Sequence, residues 1–397
     1  MSLMEISQPT VDRLDQDNNL SDPSVVTKYT TGADIANAVI KQLLPLVVVG
    51  ARIIDVCSQG DAMILAETSK VHKKGERGIA RPTCLCVNNL VRNSTPVDDN
   101  EAVTLKDGDL VKIDLGVHID GYISALAHTT IVTSNPSSPI SGPQADVVCA
   151  AHYASIAALN LLTPGVSSEE ITQAVTGIAA HFNCTPVHST FSRQVKRFLL
   201  NGGNSIANST EPEHADAAAA ESYTPFEVEA GDAYVLDIVL STGSGQVKDI
   251  HQQRPNVITR DVNRFYNLKH QSSRKTLSAV ASTFSVFPFP TRSLLALDRT
   301  HRIGVQECLA HSLLVPEWMQ IEQSGQYVAR FAMTVLVRPT SAGGPLRITA
   351  ADLQLPYVHS EIDIGTSQYA DTISGKKTRS TKSKKAIAAP ASSMDLS

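Results

Sequence analysis

Residues 111–129 constrain the fold most, because two apolar stretches there are joined by Asp120-Gly121. An Asp-Gly pair readily adopts the positive φ angles of a two-residue turn, so the flanking stretches are expected to form a β-hairpin. The first strand of this hairpin carries one acid, Asp114, in an otherwise largely apolar segment. Asp114 is therefore either a working metal ligand or a hydrogen-bonded acid retained with the scaffold.

The remaining patterns interleave helical and extended periodicity without the regular strand–helix alternation of a parallel sheet. Helices are expected from Asp34, over 52–69 and 146–162, after the capping box Ser167-x-x-Glu170, over 193–201 and over 302–314. Strands are expected over 84–87, 110–117, 122–132, 233–240 and 329–337. Because hairpins recur among these elements, the sequence predicts an α+β protein with an antiparallel sheet.

The composition excludes several classes of protein. With 397 residues, 42% of them hydrophobic, the chain can bury a substantial core. The most apolar stretch, 43–56, is interrupted by Pro45, Gly50 and Arg52, so no run reaches the roughly 18 residues of a membrane span. The N-terminus lacks the basic-then-apolar order of a signal peptide, so the protein is expected inside the cell, without a membrane partner. The six cysteines are thinly spread and are expected to be reduced.

Several segments resemble a known family. "KIDLGVHIDGY", "NCTP", "YVLDIVLSTGSG" and "ARFAMTVLV" are similar to landmark strands of the type 2 methionine aminopeptidases, and the ordered similarity covers 25–357. "VVTKY", "GADIANAV", "GDAMI", "HFNCTP" and "RIGVQECLAHSLL" are most similar to the proliferation-associated or ErbB-receptor-binding proteins, called curved-DNA-binding protein in yeast. This resemblance implies a pita-bread fold, in which two pseudo-symmetric α+β halves surround a cleft and the C-terminal half carries a helical insert.

Composition and resemblance together predict three regions. Residues 1–24 are polar and aperiodic and are expected to form a flexible N-terminal arm. Residues 25–372 are expected to form the pita-bread domain, with the insert at about 250–315 by analogy with the type 2 enzymes. Residues 373–397 are rich in Lys, Ser and Ala and are expected to be a disordered basic tail.

The resemblance also implies where metal ligands would lie. The peptidases of this superfamily hold two divalent cations with two aspartates of the hairpin, one histidine and two glutamates of later strands. The matching positions in this chain are Asp114, Ala125, Arg193, Asp237 and Ala332, and Asn93 stands where active relatives have a substrate-contacting histidine. Only two carboxylates remain, and Arg193, if it points inward, is expected to pair with them.

We therefore expect no metal, no cofactor and no aminopeptidase activity, with an active aminopeptidase as an alternative that paired metal ions would reveal. No nucleophile elbow of the G-x-S-x-G type and no glycine-rich phosphate loop is present in the sequence. His118 and His128 lie in strand-like segments and are interpreted as structural residues.

Positive charge is concentrated in three regions, although the net charge is -5. Within the predicted helix over 193–201, one face would present Arg193, Lys196 and Arg197. The stretch 246–275 surrounds Phe265 and Tyr266, which suit packing or base stacking, with Lys248, Arg254, Arg260, Arg264, Lys269, Arg274 and Lys275. The tail adds Lys376, Lys377, Arg379, Lys382, Lys384 and Lys385. A single charge run is usually a solvated surface, but several together favour a phosphate backbone as partner.

In the relatives without peptidase residues, the insert face docks on ribosomal RNA near the exit tunnel of the large subunit. The resemblance therefore implies a non-catalytic protein that binds the large ribosomal subunit, pre-ribosomes or structured RNA and acts in ribosome biogenesis, translation or growth control. The alternative is a nuclear DNA-binding transcription regulator or protein-interaction adaptor, for which the tail would be a nuclear or nucleolar address. These functions place the protein in the cytoplasm and in the nucleus or nucleolus.

Overall fold

The computed structural model describes residues 18–99, 103–135, 138–209, 224–350, 353 and 355–375. The helices are α1 (Pro23–Leu43), α2 (Ile53–Thr68), α3 (Pro143–Leu161), α4 (Ser168–His181), α5 (Gln271–Thr283), α6 (Thr291–Leu297), α7 (His301–Ala310) and α8 (Ala370–Ile373). The strands are β1 (Arg77–Val87), β2 (Leu90–Arg92), β3 (Leu110–Ile119), β4 (Tyr122–Ile131), β5 (Thr185–Pro186), β6 (Phe191–Val195), β7 (Ser205–Ala207), β8 (Ala233–Ser241), β9 (Lys248–Asp249), β10 (Val257–Arg260), β11 (Phe289–Pro290), β12 (Leu314–Glu317), β13 (Gln320–Ile321), β14 (Val328–Leu336) and β15 (Leu346–Arg347). None of the helices in these ranges combines the length and the apolar character that a membrane crossing requires.

The predicted hairpin is present as β3 and β4. Ile119 pairs with Tyr122 across the turn, and Asp120 and Gly121 have φ angles of 53° and 84°. Two successive positive φ angles twist the turn in the same sense as the strands that it connects, which explains why this dipeptide specifies the hairpin. All residues of β3 are buried.

The hairpin is part of an antiparallel sheet that is nine-stranded within the described residues. Its strand order is β1-β3-β4-β14-β8-β6-β7, and β15 and β5 attach to β14 and β8. Every pair of neighbouring strands in this path is antiparallel, which confirms the α+β prediction. Residues of β4 and β14 pair directly at the middle of the sheet, where the N-terminal and C-terminal halves meet.

Helices cover one face of this sheet in both halves. In the N-terminal half, α1 and α2 pack on β3 in a cluster that contains Leu43, Ile64 and Ile113. In the C-terminal half, α3 packs on β8 and β14, and α4 packs on α3, β5 and β7, in a cluster that contains Ile178 and Ile238. Because side chains alternate along a strand, the residues between these apolar positions point to the opposite face, which is the floor of the cleft.

A smaller unit follows β9 in the C-terminal half. Strands β11, β10 and β12 form a three-stranded sheet, and α5, α6 and α7 pack against it around Ile258, Val280 and Phe289. The sequence pattern predicts a helix over 302–314, but α7 ends at Ala310 and β12 begins at Leu314. Helix α5, which lies in the polar stretch, was not predicted.

The helix predicted over 193–201 is wrong. Phe191–Val195 is a strand that pairs with β7 and β8, and a turn follows in which Lys196 and Leu199 exchange backbone hydrogen bonds. Phe198 has a φ of 63°, a left-handed conformation that a helix cannot contain. Spacings of three and four between the basic residues therefore do not place them on one helix face.

The two predicted terminal regions lie mostly outside the described residues. Residues 1–17 and 376–397 are not described. Helix α1 begins at Pro23, two residues before the predicted start of folding at Val25, and the Asp22 side chain accepts a hydrogen bond from the Ser24 backbone N–H. Before it, the buried Asn18 accepts a hydrogen bond of 2.8 Å from the Tyr29 hydroxyl.

Candidate functional site

Five neighbouring strands bring one row of side chains to the floor of the cleft. The successive cross-strand partners in this row are Cys84, Asp114, Ala127, Ala332 and Asp237. Directly opposed residues of paired strands point to the same face of a sheet, so the two aspartates share the cleft floor and alanines separate them. Ala125 lies on the same face of β4, two residues before Ala127, and pairs with Gly116.

Arg330 neutralises both aspartates. Its Nε and Nη2 donate to Asp237 Oδ1 and Oδ2 at 2.7 and 2.8 Å, and its Nη1 lies 3.3 Å from Asp114 Oδ2. The side chains of Arg330, Asp114 and Asp237 are 10%, 3% and 20% exposed. Burial disfavours the charged guanidinium, but Asp237 and then Asp114 outweigh it and raise the pKa of Arg330.

The sequence predicts this pairing for Arg193, but in the structure Arg330 makes it instead. Arg193 lies on β6 opposite Val235, two residues from Asp237, and its guanidinium rests over the Phe191 ring at 5.2 Å from the centroid. The reason for the difference is strand order. Strand β14, which carries Arg330, lies between the strands of Asp114 and Asp237, whereas β6, which carries Arg193, lies on the far side of β8 from Asp114.

Arg81 holds a third acid, Glu317, beside the same floor. Its Nη2 donates to Asn93 Oδ1 at 3.1 Å and to Glu317 Oε2 at 3.3 Å, and its Nε lies 3.9 Å from Asp114 Oδ2. Burial opposes the charge of Arg81, but Glu317 and Asp114 raise its pKa. Asn93 Nδ2 donates to the Trp318 carbonyl at 3.1 Å, so the amide links β2 to the segment that follows β12.

A buried lysine lies further along the same face of β3. Lys112 is fully buried, pairs with Cys86 across the strands and donates to the Asn88 carbonyl. Burial lowers its pKa to about 7. Sequence reasoning missed Arg81, Lys112 and Arg330. The available signal was a cation within an apolar, strand-like run, as in "VKIDL" and "ARFAM".

The residues of the cleft do not fit a pair of divalent cations. Within the described ranges no cluster of three or more His, Cys, Asp and Glu side chains is placed to hold a metal. Two hard dications require several carboxylates, and here Asp114 and Asp237 already face the guanidinium of Arg330. That fixed positive charge would repel a dication between the two acids.

The basic residues predicted to share a helix face lie apart. Arg197 Nη2 is 2.8 Å from Asp120 Oδ1 at the hairpin turn, and Lys28 Nζ is 2.7 Å from Asp120 Oδ2. Both cations also lie over the Tyr122 ring. Arg197 therefore anchors the turn of the hairpin, whereas Arg193 faces the cleft and Lys196 lies in the turn after β6.

The basic residues of 246–275 lie on the surface. The exposed members are Lys248, Arg254, Arg264, Lys269, Arg274 and Lys275, and Arg260 is half-buried. Phe265 is 89% exposed, and Tyr266 stacks on His311 with 3.6 Å between ring centroids. Arg274 also donates to the Leu268 carbonyl at 2.7 Å. The predicted tail residues Lys376, Lys377, Arg379, Lys382, Lys384 and Lys385 lie outside the described residues.

An antiparallel sheet with two helix-covered halves and a polar cleft on its other face defines the pita-bread class. The chain belongs to metallopeptidase family M24, whose family model matches residues 27–269.

Individual relatives agree with this assignment. The chain is 37% identical to proliferation-associated protein A of Dictyostelium discoideum over 349 residues, 87% of each chain. It is 36% identical to the curved DNA-binding protein of Schizosaccharomyces pombe over 327 residues, 80% of this chain and 82% of that protein. The solved structure of a thermophilic Arx1 superposes with a TM-score of 0.79 at 28% identity and covers 89% of this chain and 98% of that one. The family and the fold predicted from the sequence are confirmed.

Proposed function

We propose that this chain is a non-catalytic M24 protein that binds the large ribosomal subunit or its precursor and acts in ribosome biogenesis. The observation that carries the non-catalytic assignment is Arg330, whose guanidinium contacts both Asp114 and Asp237. With these acids neutralised, the cleft lacks the negative charge that would hold and activate a metal-bound water. The cleft then serves as a rigid scaffold rather than as a hydrolytic site.

The surface proposed to bind RNA is the stretch 246–275, which we name the basic insert face. It carries seven lysines and arginines against two aspartates, whereas the whole chain has a net charge of -5. Exposed cations release counterions when they contact a phosphate backbone, and the gain accumulates over several contacts. Such contacts fit the surface of a folded RNA, which is recognised largely by its shape and backbone.

Aromatic side chains at the tip of the loop after β10 add a second mode of contact. Phe265 is 89% exposed, so its ring is not used for packing, and it adjoins Tyr266, which His311 holds by stacking. An exposed ring beside cations suits stacking on an unpaired base. The loop therefore offers both backbone and base contacts within one surface.

Charge reversal on this face tests the proposal. The full chain with Arg260→Glu, Arg264→Glu and Lys269→Glu is expected to lose most of its cosedimentation with purified large ribosomal subunits, and the wild-type interaction is expected to weaken steeply as salt rises. The matched control reverses three exposed lysines of the N-terminal half, Lys70, Lys73 and Lys74. Unchanged cosedimentation of the insert variant at low salt, or an equal loss in the control, would contradict the proposal.

DNA binding in the nucleus is a second candidate function. It is favoured by the similarity to a protein named curved DNA-binding protein and by the basic sequence 376–385. Under this alternative the tail, rather than the basic insert face, would supply most of the phosphate contacts. The proposed locations are the cytoplasm and the nucleus or nucleolus for both functions.

A further inference from the structure

Two arginines beside the cleft lack an ion-paired carboxylate. Among the described residues the arginines there are Arg81, Arg92, Arg193 and Arg330, and the acids are Asp114, Asp237, Glu317 and Glu322, the last of which accepts from Ser241 Oγ at 3.0 Å. Arg330 and Arg81 together contact Asp114, Asp237 and Glu317. Among the residues that the structure describes, no carboxylate lies within ion-pairing distance of Arg92 or Arg193.

The two remaining arginines both lie beside β6. Arg92 Nη2 donates to the Ser189 carbonyl at 3.1 Å, and Arg193 rests on the ring of Phe191, two residues further along. Each guanidinium has five N–H donors, so most of the donors of both groups remain available. Both groups also belong to one electrostatic cluster. Burial, and then the charge of Arg330, lowers the pKa of Arg92 to about 10, and burial, and then Arg81, lowers that of Arg193.

Half-buried cations that repel one another are costly unless an anion compensates them. A ligand of opposite charge would lower the electrostatic cost of keeping such groups in a cleft. This arrangement is independent of the basic insert face, because it concerns the concave side of the central sheet.

We propose that Arg92 and Arg193 form a binding site for a carboxylate in the cleft. A planar carboxylate matches the paired N–H donors of a guanidinium. A monoanion is favoured over a phosphate dianion because Asp237 is close to both arginines and Glu317 is close to Arg193. The carboxylate comes either from a free small acid or from the C-terminus of a peptide.

Calorimetric titration of the full chain distinguishes these sources. The probes are acetyl-trialanine with a free carboxylate, the same peptide as its C-terminal amide, sodium acetate and inorganic phosphate. The free-acid peptide is expected to bind at least about tenfold more tightly than the amide, because the amide cannot form charge-assisted bonds. Acetate that competes as well as the peptide assigns the site to free acids, and weaker competition assigns it to a chain terminus. Equal binding of acid and amide, or preferential binding of phosphate, would overturn the proposal.

Arginine variants locate the site. Arg92→Gln and Arg193→Gln are each expected to weaken binding of the free-acid peptide about tenfold, whereas Arg299→Gln, at an exposed position of the insert, leaves it unchanged. Without ligand, the two cleft variants are expected to melt at or above the wild-type temperature, because each removes an uncompensated charge. Wild-type affinity in both cleft variants would overturn the assignment. Cosedimentation with large subunits is expected to stay intact in these variants, so this result is separate from the proposed RNA contacts.

Discussion

Two carboxylates on one sheet face repel each other unless a cation lies between them. Asp114 and Asp237 stand in the same cross-strand row, separated by Ala127 and Ala332, and both are largely buried. Arg330 supplies the cation from within the chain, so the fold can bury both acids without a bound ion. Arg330 thereby stabilises the cleft floor, and no metal ion is needed to balance the charge of the two aspartates.

Removal of this guanidinium should destabilise the protein strongly. Arg330→Ala leaves the two acids buried without their main counter-charge, and breaking a buried pair in this way costs about 3–5 kcal/mol of unfolding free energy. Urea denaturation followed by circular dichroism measures the loss. Arg299→Ala, which removes an exposed arginine, is expected to change stability by less than about 0.5 kcal/mol.

The wild type and the Arg330→Ala variant also test the absence of peptide hydrolysis. Wild type and Arg330→Ala are both expected to release no methionine from a Met-peptide in the presence of manganese or cobalt, because only two of the acids remain. Turnover by the wild type would contradict the non-catalytic proposal, and a loss of stability below about 1 kcal/mol in Arg330→Ala would contradict the role given to its ion pairs.

At the residue scale, motifs predicted the acids and missed their partners. Asp114 and Asp237 lie in conspicuous strand motifs, "KIDLG" and "VLDIV", which placed them in the cleft. The contact of Arg330 with both depends on the register of β14 between β4 and β8, strands that are far apart in the sequence. Local patterns carry no information about such a register, although a lone arginine in an apolar run marks a position that needs a partner.

At the element scale, local turn chemistry was a better guide than a short helical pattern. The Asp120-Gly121 pair specified the hairpin correctly because its positive φ angles are an intrinsic preference. The stretch 193–201 was predicted to be a helix, but the alternation of buried Ser192 and Gln194 with half-buried Phe191 and Arg193 fits a strand, and pairing with β8 decided the outcome. Tertiary pairing overrides a short helical pattern.

Gly121 offers a test of this element. A Cβ at Gly121 would lie 2.5 Å from the ring of Phe198, and φ there is 84°. Gly121→Ala is therefore expected to lower the unfolding free energy by about 2–4 kcal/mol, about 1 kcal/mol of which comes from the left-handed backbone and the rest from overpacking. Thermal and urea unfolding measure the change.

The matched control is Gly50→Ala, where φ is 85° but no atom lies within 4 Å of the added Cβ. This variant is expected to show only the backbone cost of about 1 kcal/mol. The double variant Gly121→Ala/Phe198→Ala is expected to remove the overpacking cost. Equal losses in the two single glycine variants would show that Phe198 does not restrict the turn.

At the scale of the whole molecule, positive charge is distributed unevenly between the cleft and the surface. The central sheet pairs Asp114 and Asp237 with Arg330, whereas the basic insert face keeps an excess of positive charge on the surface of a chain whose net charge is -5. The fold class and family followed from the sequence because many short motifs agree in order. Which charged residues lie in the cleft and which lie on the surface could be assigned only from the tertiary structure, because arginine occurs in both places.

Truncation after Gly375 separates the two candidate functions. The sequence 376–385 has six lysines and arginines and no acid, so it would make several phosphate contacts if DNA were the partner. If the basic insert face binds the ribosomal subunit, the truncated chain keeps its cosedimentation and loses only a small, salt-sensitive part of the affinity. Gel retardation of DNA and nuclear entry are expected to fall sharply in the same variant if the tail serves either purpose. Subunit binding that disappears with the tail, while the insert charge reversal has no effect, would transfer the RNA contacts to the tail and reject the insert as the docking surface.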